Sequence, residues 1–363
     1  MGEPHGVGVV GLGVISARYL GTLVGHPDVA VRAVADLDHG RAVEVASGIP
    51  GCRALPVADL VADPAVDTVL NLTTPDSHAE IALAALAHGK NVYGEKPLAA
   101  TFLDAVTVMR ARGDAWVGGA PDTVLGTGIQ TARAVVDSGA IGRPIAASAT
   151  WVAPGHERWH PHPDFYYRAG GGPLLDMGPY YLTSLVQLLG PVTRVTGASS
   201  RSRGTRTIGS GPRAGEQIPV MVDTHVTGVL EHAGGALSTV VLSFDAVATG
   251  APPIEVHGER GSLVVPDPNT FDGTVRLHLL GEQEWTEVPP TAGYQDAERG
   301  IGLVDFVRGG RRAGGDLALH VLEIMTELLE SAGDGVRRPL TTSVERPTLV
   351  PLTAEPQWRG SRP

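Results

Sequence analysis

A glycine-rich turn near the start of the sequence has the residue types and spacing that bind a dinucleotide. Residues 7–16 read VGVVGLGVIS, an apolar run followed by Gly11, Gly13 and Ser16 and then by a helical pattern. The first glycine permits a tight turn, the second lets the backbone approach a pyrophosphate, and a small third residue lets the helix pack on the strand. Asp36 ends the next apolar run, where the acid that binds the adenosine ribose is expected.

The acidic residues after the second apolar run indicate which cofactor binds. Asp36 would accept hydrogen bonds from the ribose hydroxyls and repel a 2′-phosphate, and Asp38 adds to that repulsion. We therefore predict NAD in preference to NADP, with Arg41 the one neighbour that favours NADP. The alternative is a glycine turn beside a solvated aspartate. The positions expected to line the cofactor here are Gly11, Gly13, Val14, Ile15, Asp36 and Leu37.

Short apolar runs alternate with helical patterns over the first 120 residues. Such strands, apolar throughout, predict a parallel sheet covered by helices on both faces. The clearest helices are His78–Ala87 and Thr101–Arg112, the second with a capping pattern between Thr101 and Asp104. The predicted strands are Val7–Val10, Val29–Ala35, Thr68–Leu72, Asn91–Tyr93 and Ala115–Val117.

The pattern changes to antiparallel hairpins after about residue 145. Two pairs of apolar runs flank glycine-containing turns, and a further run alternates apolar with polar residues. We predict an α/β fold: a doubly wound Rossmann domain over residues 1–122, then an α+β domain over residues 123–363 with an open, mostly antiparallel sheet. The elements that carry this prediction are strands Thr224–Leu230, Leu237–Phe244, Ile254–His257, Ser262–Val265 and Val275–Leu279 and helices Leu174–Leu189 and Asp316–Ser331.

Two further segments make the chain resemble a known family. Residues 71–99 read NLTTPDSHAEIALAALAHGKNVYGEKPLA, and residues 170–182 read GGGPLLDMGPYYL. With the glycine turn, they resemble the Gfo/Idh/MocA oxidoreductases, the family of glucose-fructose oxidoreductase and inositol dehydrogenase. The resemblance covers nearly the whole chain and includes the tripeptide Glu95-Lys96-Pro97 and the pattern Asp176-x-Gly178-x-Tyr180.

The catalytic residues implied by the resemblance suit the oxidation of a secondary alcohol. That reaction requires a base for the hydroxyl proton and a group that stabilises the alkoxide. We assign Lys96 to substrate polarisation and proton transfer, Tyr180 to general acid/base catalysis and Asp176 to support, and leave open whether Lys96 or Tyr180 matters more. Many relatives have histidine at the position of Tyr180. The alternatives are that Tyr180 packs in the core and that Asp176 caps a helix.

The resemblance also extends the cofactor site. It implies a cis peptide bond before Pro97, and it leaves His78 either beside the dinucleotide or on a helix surface. The further residues implied to line the cofactor are Asn71, Thr73, Thr74, Pro75, His78, Glu95 and Lys96.

Residues 156–160 read HERWH, which matches the zinc-protease signature H-E-x-x-H. The signature requires a helix, whereas Pro161 pushes His160 out of the helical region, so we predict no metal site. We interpret the segment as part of a substrate loop, with a proline-rich surface loop as the alternative. The order Arg158-Trp159 reverses a Trp-Arg pair of many relatives, which leaves the carboxamide contact open. The residues expected to bind substrate are Lys96, Trp159, His160, Tyr166, Arg168, Asp176 and Tyr180.

Composition restricts the partners. A net charge of −11 argues against nucleic acid and anionic membranes, and the single cysteine, Cys52, excludes an intrachain disulfide. The sequence shows neither a signal peptide nor a membrane span, so we expect a soluble, cytoplasmic protein. The open sheet predicts a homodimer or homotetramer.

We thus expect an NAD-dependent dehydrogenase or reductase that acts on a secondary alcohol or ketone of a sugar, cyclitol or related polyol. One alternative is redox-neutral elimination, glycosidic cleavage or epimerisation through a transient keto intermediate. A more distant alternative is a non-catalytic NAD-binding module.

Overall fold

The computed structural model describes residues 3–360, which form two compact units. The first unit combines the chain up to Gln130 with Thr291–Leu319 and the chain from Pro347 onward, and the second comprises Thr131–Pro290 and His320–Arg346. The predicted boundary at residue 122 did not foresee this return of the chain, which backbone pairing of Gly118 with Gly314 holds in place. The assignment of residues 1–122 and 123–363 to two domains stays a prediction.

The first unit is built on a parallel sheet of six strands in the order β3-β2-β1-β4-β5-β6. The strands are β1 (His5–Val10), β2 (Val29–Ala35), β3 (Arg53–Ala54), β4 (Thr68–Asn71), β5 (Asn91–Gly94) and β6 (Val117–Gly119). The helices between them are α1 (Ser16–Leu23), α2 (His39–Ser47), α3 (Val57–Ala62), α4 (Pro75–Ala87) and α5 (Phe102–Ala111). The strand order reverses between β1 and β4, and the crevice at such a switch point is where open α/β sheets bind ligands.

The order of the sheet confirms the predicted Rossmann fold, and most element bounds agree within a few residues. Helix α4 begins three residues before the predicted His78, and β6, predicted over Ala115–Val117, is observed over Val117–Gly119. The shift follows from the pairing, because Gly118 and Gly119 lie opposite Tyr93 and Gly94 of β5. Trp116, just before the strand, instead donates its N–H to the Asn91 side chain.

The second unit contains a nine-stranded sheet in the order β16-β15-β14-β13-β7-β12-β11-β8-β17, antiparallel except between β7 and β12. Its strands are β7 (Pro144–Val152), β8 (Val192–Ser200), β11 (His225–His232), β12 (Leu237–Ser243), β13 (Ile254–Gly258), β14 (Gly261–Val265), β15 (Val275–Leu279), β16 (Thr286–Val288) and β17 (Arg338–Pro339), while β9 (Thr205–Thr207) and β10 (Gln217–Pro219) pair separately. The predicted open, mostly antiparallel sheet is confirmed.

Over residues 3–360 there are five further α-helices: α6 (Thr127–Asp137), α7 (Pro173–Leu189), α8 (Ile301–Val307), α9 (Gly315–Asp334) and α10 (Glu355–Arg359). Within the second unit, α7 packs on β7, β11 and β12. In β11, buried residues alternate with more exposed ones, which shows that one face of the sheet is covered. Across residues 3–360, no helix has both the length and the apolar character needed to cross a membrane.

Helix α9 approaches β8 so closely that a glycine is required there. A Cβ added at Gly197 would overlap the Leu328 carbonyl oxygen, and the Gly197 N–H already donates to the Ser331 hydroxyl at 2.9 Å. We expect Gly197→Ala to lower the free energy of unfolding by about 1–3 kcal/mol, because helix and strand must separate. Urea denaturation measures the change.

Gly21→Ala is the matched control for this prediction. Gly21 lies in α1, and no neighbouring atom lies within 4 Å of an added Cβ. Alanine improves helix propensity there, so stability should be unchanged or slightly higher. Equal stability of Gly197→Ala and the unaltered protein would contradict the steric argument.

Candidate functional site

The glycine turn after β1 has the geometry predicted for a phosphate-binding loop. Gly11 has a φ of +91°, and a Cβ there would lie 2.7 Å from the Leu72 carbonyl carbon. Nothing lies within 4 Å of the corresponding position at Gly13, so its backbone is open to approach. Helix α1 begins at Ser16, whose hydroxyl donates to the Gly13 carbonyl oxygen at 2.7 Å. Val14 is almost fully exposed, with Ile15 half-buried beside it.

Asp36 lies at the end of β2, beside this turn. Its carboxylate accepts the N–H of Leu12 at 2.7 Å and the N–H of Asp38 at 2.9 Å, and its side chain is 12% exposed. Arg41 lies 3.7 Å from Asp36 and 3.8 Å from Asp38, so its charge is shared between two carboxylates. Leu37 is fully exposed. The acidic group predicted to meet the ribose is thus fixed in direction by the turn itself.

Asn71 and His78 organise the chain where it leaves β4. The Asn71 side chain donates to the His78 carbonyl oxygen at 3.1 Å and accepts from the Thr73 hydroxyl at 2.7 Å. The two ring nitrogens of His78 lie 3.0 Å from the Thr73 carbonyl oxygen and 2.7 Å from the Pro97 carbonyl oxygen. His78 is only 2% exposed, so the alternative of a helix-surface histidine is wrong.

The residues just before α4 are more open than His78. Thr74 and Pro75 are exposed, and Thr73 is half-buried. Thr74 caps α4 with its backbone in the extended region, and Pro75 is the first residue of the helix. Their backbone therefore lies at the carboxyl edge of the sheet, where the cofactor residues were expected.

Lys96 follows β5 at the same edge of the sheet, and its backbone is held on both sides. The Lys96 N–H donates to the Glu95 carboxylate at 3.1 Å, and the other oxygen of Glu95 accepts the Tyr19 hydroxyl at 2.8 Å. The peptide bond between Lys96 and Pro97 is cis, as the resemblance implied.

Lys96 is also one of only two lysines in the chain, whose 28 cationic side chains are otherwise arginines. The other, Lys90, donates to the Asp63 carbonyl oxygen. This scarcity is a signal that the motif analysis missed. Lysine differs from arginine in that it can lose a proton at accessible pH, so a lysine at position 96 is consistent with proton transfer.

In the second unit, Asp176 and Tyr180 lie on α7. The helix begins at Pro173 after Gly172, so Asp176 is in its first turn and is not the N-cap residue; the capping alternative is wrong. Four residues apart, Asp176 and Tyr180 share one face. Tyr180 is 6% exposed, and the side chain of Asp176 is 16% exposed. The neighbouring Tyr181 is buried and donates to Asp267 at 3.2 Å.

The segment predicted to bind substrate forms an aromatic loop, a name we use for residues 156–168. It contains two short 3₁₀ helices, His156–Arg158 and Asp164–Tyr166, and no α-helix, so the H-E-x-x-H signature lacks its required scaffold. Trp159 is 59% exposed and Arg168 is exposed, while Tyr166 is half-buried. His160 is half-buried as well, and burial lowers its pKa. Within residues 3–360, no three His, Cys, Asp or Glu side chains are grouped to hold a metal ion.

A contact of this loop was missed by the sequence analysis. His156 Nε2 lies 3.0 Å from Asp176 Oδ2, and Trp159 Nε1–H donates to His156 Nδ1 at 3.2 Å. His156 is 8% exposed. His156 and Asp176 are 20 positions apart in the sequence. No spacing rule connects them, so the contact is seen only in the folded structure.

The base of the aromatic loop is fixed by a buried ionic cluster, which we define as Glu157, Tyr167, Arg206 and Asp245. Arg206 is 3% exposed and pairs with Glu157 at 3.0 Å and with Asp245. The Tyr167 hydroxyl donates to Glu157 and accepts the N–H of His156 at 3.1 Å. Burial and the adjacent Glu157 carboxylate raise the pKa of Tyr167, so its hydroxyl stays protonated and can donate. This part of the loop is therefore anchored, unlike a proline-rich surface loop.

Comparison with known families supports the oxidoreductase interpretation. Residues 5–114 match the model of the oxidoreductase family with an NAD-binding Rossmann fold, and residues 129–264 match the GFO/IDH/MocA C-terminal domain. Inositol 2-dehydrogenase 2 of Saccharopolyspora erythraea is 35% identical over 365 residues, which cover 96% of this chain and 99% of that protein. The 1,5-anhydro-D-fructose reductase of Ensifer adhaerens is 31% identical over 276 residues, covering 72% and 75%.

Solved structures share the fold. An NAD-binding oxidoreductase from Klebsiella pneumoniae superposes with a TM-score of 0.79 at 21% identity, covering 94% of this chain and all of that one. Levoglucosan dehydrogenase in complex with NADH and levoglucosan gives a TM-score of 0.77 at 21% identity, with the same coverage. At this level of identity, the likeness concerns the fold.

The buried ionic cluster generates a stability prediction. Replacing Arg206 with methionine leaves the Glu157 and Asp245 carboxylates without their cation in a buried place. Breaking a buried pair in this way costs about 3–5 kcal/mol of unfolding free energy. Urea denaturation followed by tryptophan fluorescence measures the loss.

Arg213→Met is the control, because Arg213 also contacts two carboxylates, Asp164 and Glu216, but at the surface. Solvent and salt screen such pairs, so we expect little change in stability. Equal effects of the two substitutions would show that burial of the Arg206 cluster is unimportant.

Proposed function

The chain belongs to the Gfo/Idh/MocA oxidoreductase family, and from that premise we propose that it is an NAD-dependent dehydrogenase or reductase of a sugar, cyclitol or related polyol. The enzyme transfers hydride between the nicotinamide and a secondary alcohol or ketone of the substrate. The single observation that carries the proposal is the placement of Lys96, which follows the parallel strand β5 after Glu95, at the ligand-binding edge, and is held by Glu95 and a cis proline.

The residues of the first unit fit a bound dinucleotide. The open backbone at Gly13 and the N-terminus of α1 suit the pyrophosphate, because free N–H groups and the helix dipole attract negative charge there. Asp36 suits the ribose hydroxyls, and its negative charge disfavours a 2′-phosphate, which supports NAD over NADP. The other residues of the proposed cofactor site are Gly11, Val14, Ile15, Leu37, Asn71, Thr73, Thr74, Pro75, His78, Glu95 and Lys96. When bound, the nicotinamide accepts or returns the hydride.

Three side chains supply the remaining chemistry in this proposal. Lys96 polarises the substrate oxygen, stabilises the negative charge that develops on it and takes part in proton transfer. Tyr180 takes up the hydroxyl proton during oxidation and returns it during reduction, and Asp176 supports this transfer. A phenol has an ordinary pKa of about 10, so a nearby cation is needed before it can accept a proton near neutral pH. Lys96 is proposed to provide that cation.

The substrate class is proposed from the relatives and from the aromatic loop. The relatives described above are a dehydrogenase of inositol and a reductase of a cyclic anhydro sugar. Trp159, His160 and Tyr166 offer aromatic surface and hydrogen-bond donors, which suit a polyhydroxylated ring. Arg168 is proposed to join them.

A homodimer or homotetramer formed through the nine-stranded sheet, and a cytoplasmic location, remain proposals. Exposed apolar residues on the sheet support the first: Leu237 is 51% exposed and Val229 is 40% exposed on paired strands.

The proposed role of Lys96 predicts that turnover requires both a positive charge at this position and a group that can release a proton. We expect Lys96→Met to reduce kcat by about 10²–10⁴-fold. Lys96→Arg should also remain inactive, because arginine keeps the charge and cannot release a proton. The assay is NADH formation with a panel of inositols and pyranoses, and calorimetry checks that NAD still binds.

Lys90→Arg is the control, because it alters the only other lysine and should leave turnover unchanged. Full activity of Lys96→Met would refute the assigned chemistry. A substrate consumed without accumulation of NADH would instead indicate a redox-neutral reaction.

Asp36 predicts the cofactor preference. Asp36→Asn removes the charge that repels a 2′-phosphate and leaves Arg41 with one carboxylate fewer. We expect the ratio of kcat/KM for NADP to that for NAD to rise at least about tenfold, equivalent to about 1.4 kcal/mol. In the double variant with Arg41→Gln, that gain should shrink. No change of the ratio in Asp36→Asn would contradict the assignment of Asp36 to the ribose.

A further inference from the structure

We propose that His156 is a positioning residue for Asp176, which it holds through a hydrogen bond from the aromatic loop to helix α7. The inference rests on the proposed function, because it takes Asp176 as a group that supports proton transfer. The observation behind it is the distance of 3.0 Å between His156 Nε2 and Asp176 Oδ2, with both side chains largely buried.

The tautomer of His156 follows from its second contact. The indole N–H of Trp159 can only donate, and it points at His156 Nδ1 at 3.2 Å. Nδ1 must therefore be the unprotonated nitrogen, and the proton of a neutral ring lies on Nε2. Nε2–H then donates to the Asp176 carboxylate, a charge-assisted hydrogen bond of the stronger kind.

The surroundings of His156 keep the ring in place. Tyr166 and Phe244 lie against it, with centroids 4.5 Å and 4.7 Å from the imidazole, and Trp151 lies 5.7 Å away. Its backbone N–H donates to the Tyr167 hydroxyl, which belongs to the buried ionic cluster. Neighbouring rings thus confine the imidazole, and a hydrogen bond to the Tyr167 hydroxyl holds the backbone of His156.

These contacts connect the loop proposed to bind substrate with the helix proposed to carry the catalytic residues. Trp159 is exposed on the loop proposed to meet the substrate, and it contacts His156, which contacts Asp176 on the helix that also carries Tyr180. The hydrogen bond fixes the direction of the carboxylate relative to that helix face. Its loss should therefore impair the chemical step more than substrate binding.

Two substitutions separate the hydrogen bond from the packing. His156→Phe keeps an aromatic ring and removes the donor, whereas His156→Gln can place an amide N–H near the position of Nε2. We expect His156→Phe to lower kcat about tenfold to a hundredfold while KM changes less than about threefold. His156→Gln should recover most of that loss.

A double-mutant cycle tests whether His156 acts through Asp176. In an Asp176→Asn background, His156→Phe should cause little further loss, because the group that it positions is already altered. His88→Ala is the control: His88 is exposed at the C-terminal end of α4 and is not one of the proposed catalytic, cofactor or substrate residues. This control should keep full activity.

A measurement on the unaltered protein does not depend on the folding of any variant. Nitrogen-15 NMR of the histidine side chains, with the His156 signals assigned by their absence in His156→Gln, should show the Nε2–H tautomer at neutral pH. The Nδ1–H tautomer would overturn the inference.

The outcomes also distinguish this inference from the proposed function. Unchanged kcat in His156→Phe together with an inactive Asp176→Asn would overturn only the role of His156. Full activity of both Asp176→Asn and Lys96→Met would overturn the proposed function itself.

Discussion

The pairing of the buried Arg206 with two carboxylates is the interaction on which the predicted substrate-binding half of the protein depends. Arg206 and Glu157 are buried, and Asp245 is half-buried; taking such charges out of water is costly unless they pair inside the fold. Glu157 receives both the guanidinium of Arg206 and the hydroxyl of Tyr167, and that hydroxyl in turn accepts the backbone N–H of His156. For Asp245, burial raises the pKa, but hydrogen bonds from Ser202 and Thr224 and the charge of Arg206 outweigh it and lower the pKa. The charges are thus compatible with burial, and they determine where the aromatic loop begins.

In the first unit, buried backbone polar groups also need partners, and here the side chains of Asn71 and His78 are close enough to supply them. Where β4 and β5 end, the backbone leaves the ladder and its polar groups need partners. Asn71 and His78 supply them, and His78 also connects the end of β4 to the carbonyl of Pro97. Two buried side chains of the proposed cofactor site, Asn71 and His78, thus also hold the backbone at this edge. Rigid support of this kind allows a lysine to be placed accurately without a long ordered loop.

The sequence was most informative where local pattern and burial coincide. The bounds of β2 and β15 agree with the prediction, because an apolar run marks the first and alternation of apolar with polar residues marks the second. Strand β7 was missed, although it lies between β12 and β13 in the sheet, because its core is Ala146–Thr150, small residues without a strong apolar signal. Arg206 was missed for another reason: it lies in a segment rich in glycine, serine and arginine that reads as exposed. The contact between His156 and Asp176 depends on the fold, and no pattern along the chain encodes it.

The identity of residue 180 gives the remaining contacts their significance. The family resemblance implies histidine at this position in many relatives. An imidazole, whose ordinary pKa is near 6.5, suits proton exchange at neutral pH better than a phenol, whose ordinary pKa is near 10. In this chain an imidazole does contact Asp176, but it comes from the loop at His156, and Trp159 fixes it as a donor. In the proposed tautomer, His156 Nε2 already carries a proton and donates it to the Asp176 carboxylate. Nε2 therefore orients the carboxylate and is not the proposed proton acceptor. The proposed proton acceptor is Tyr180, and Lys96, one of only two lysines in the chain, is proposed to share in the proton transfer.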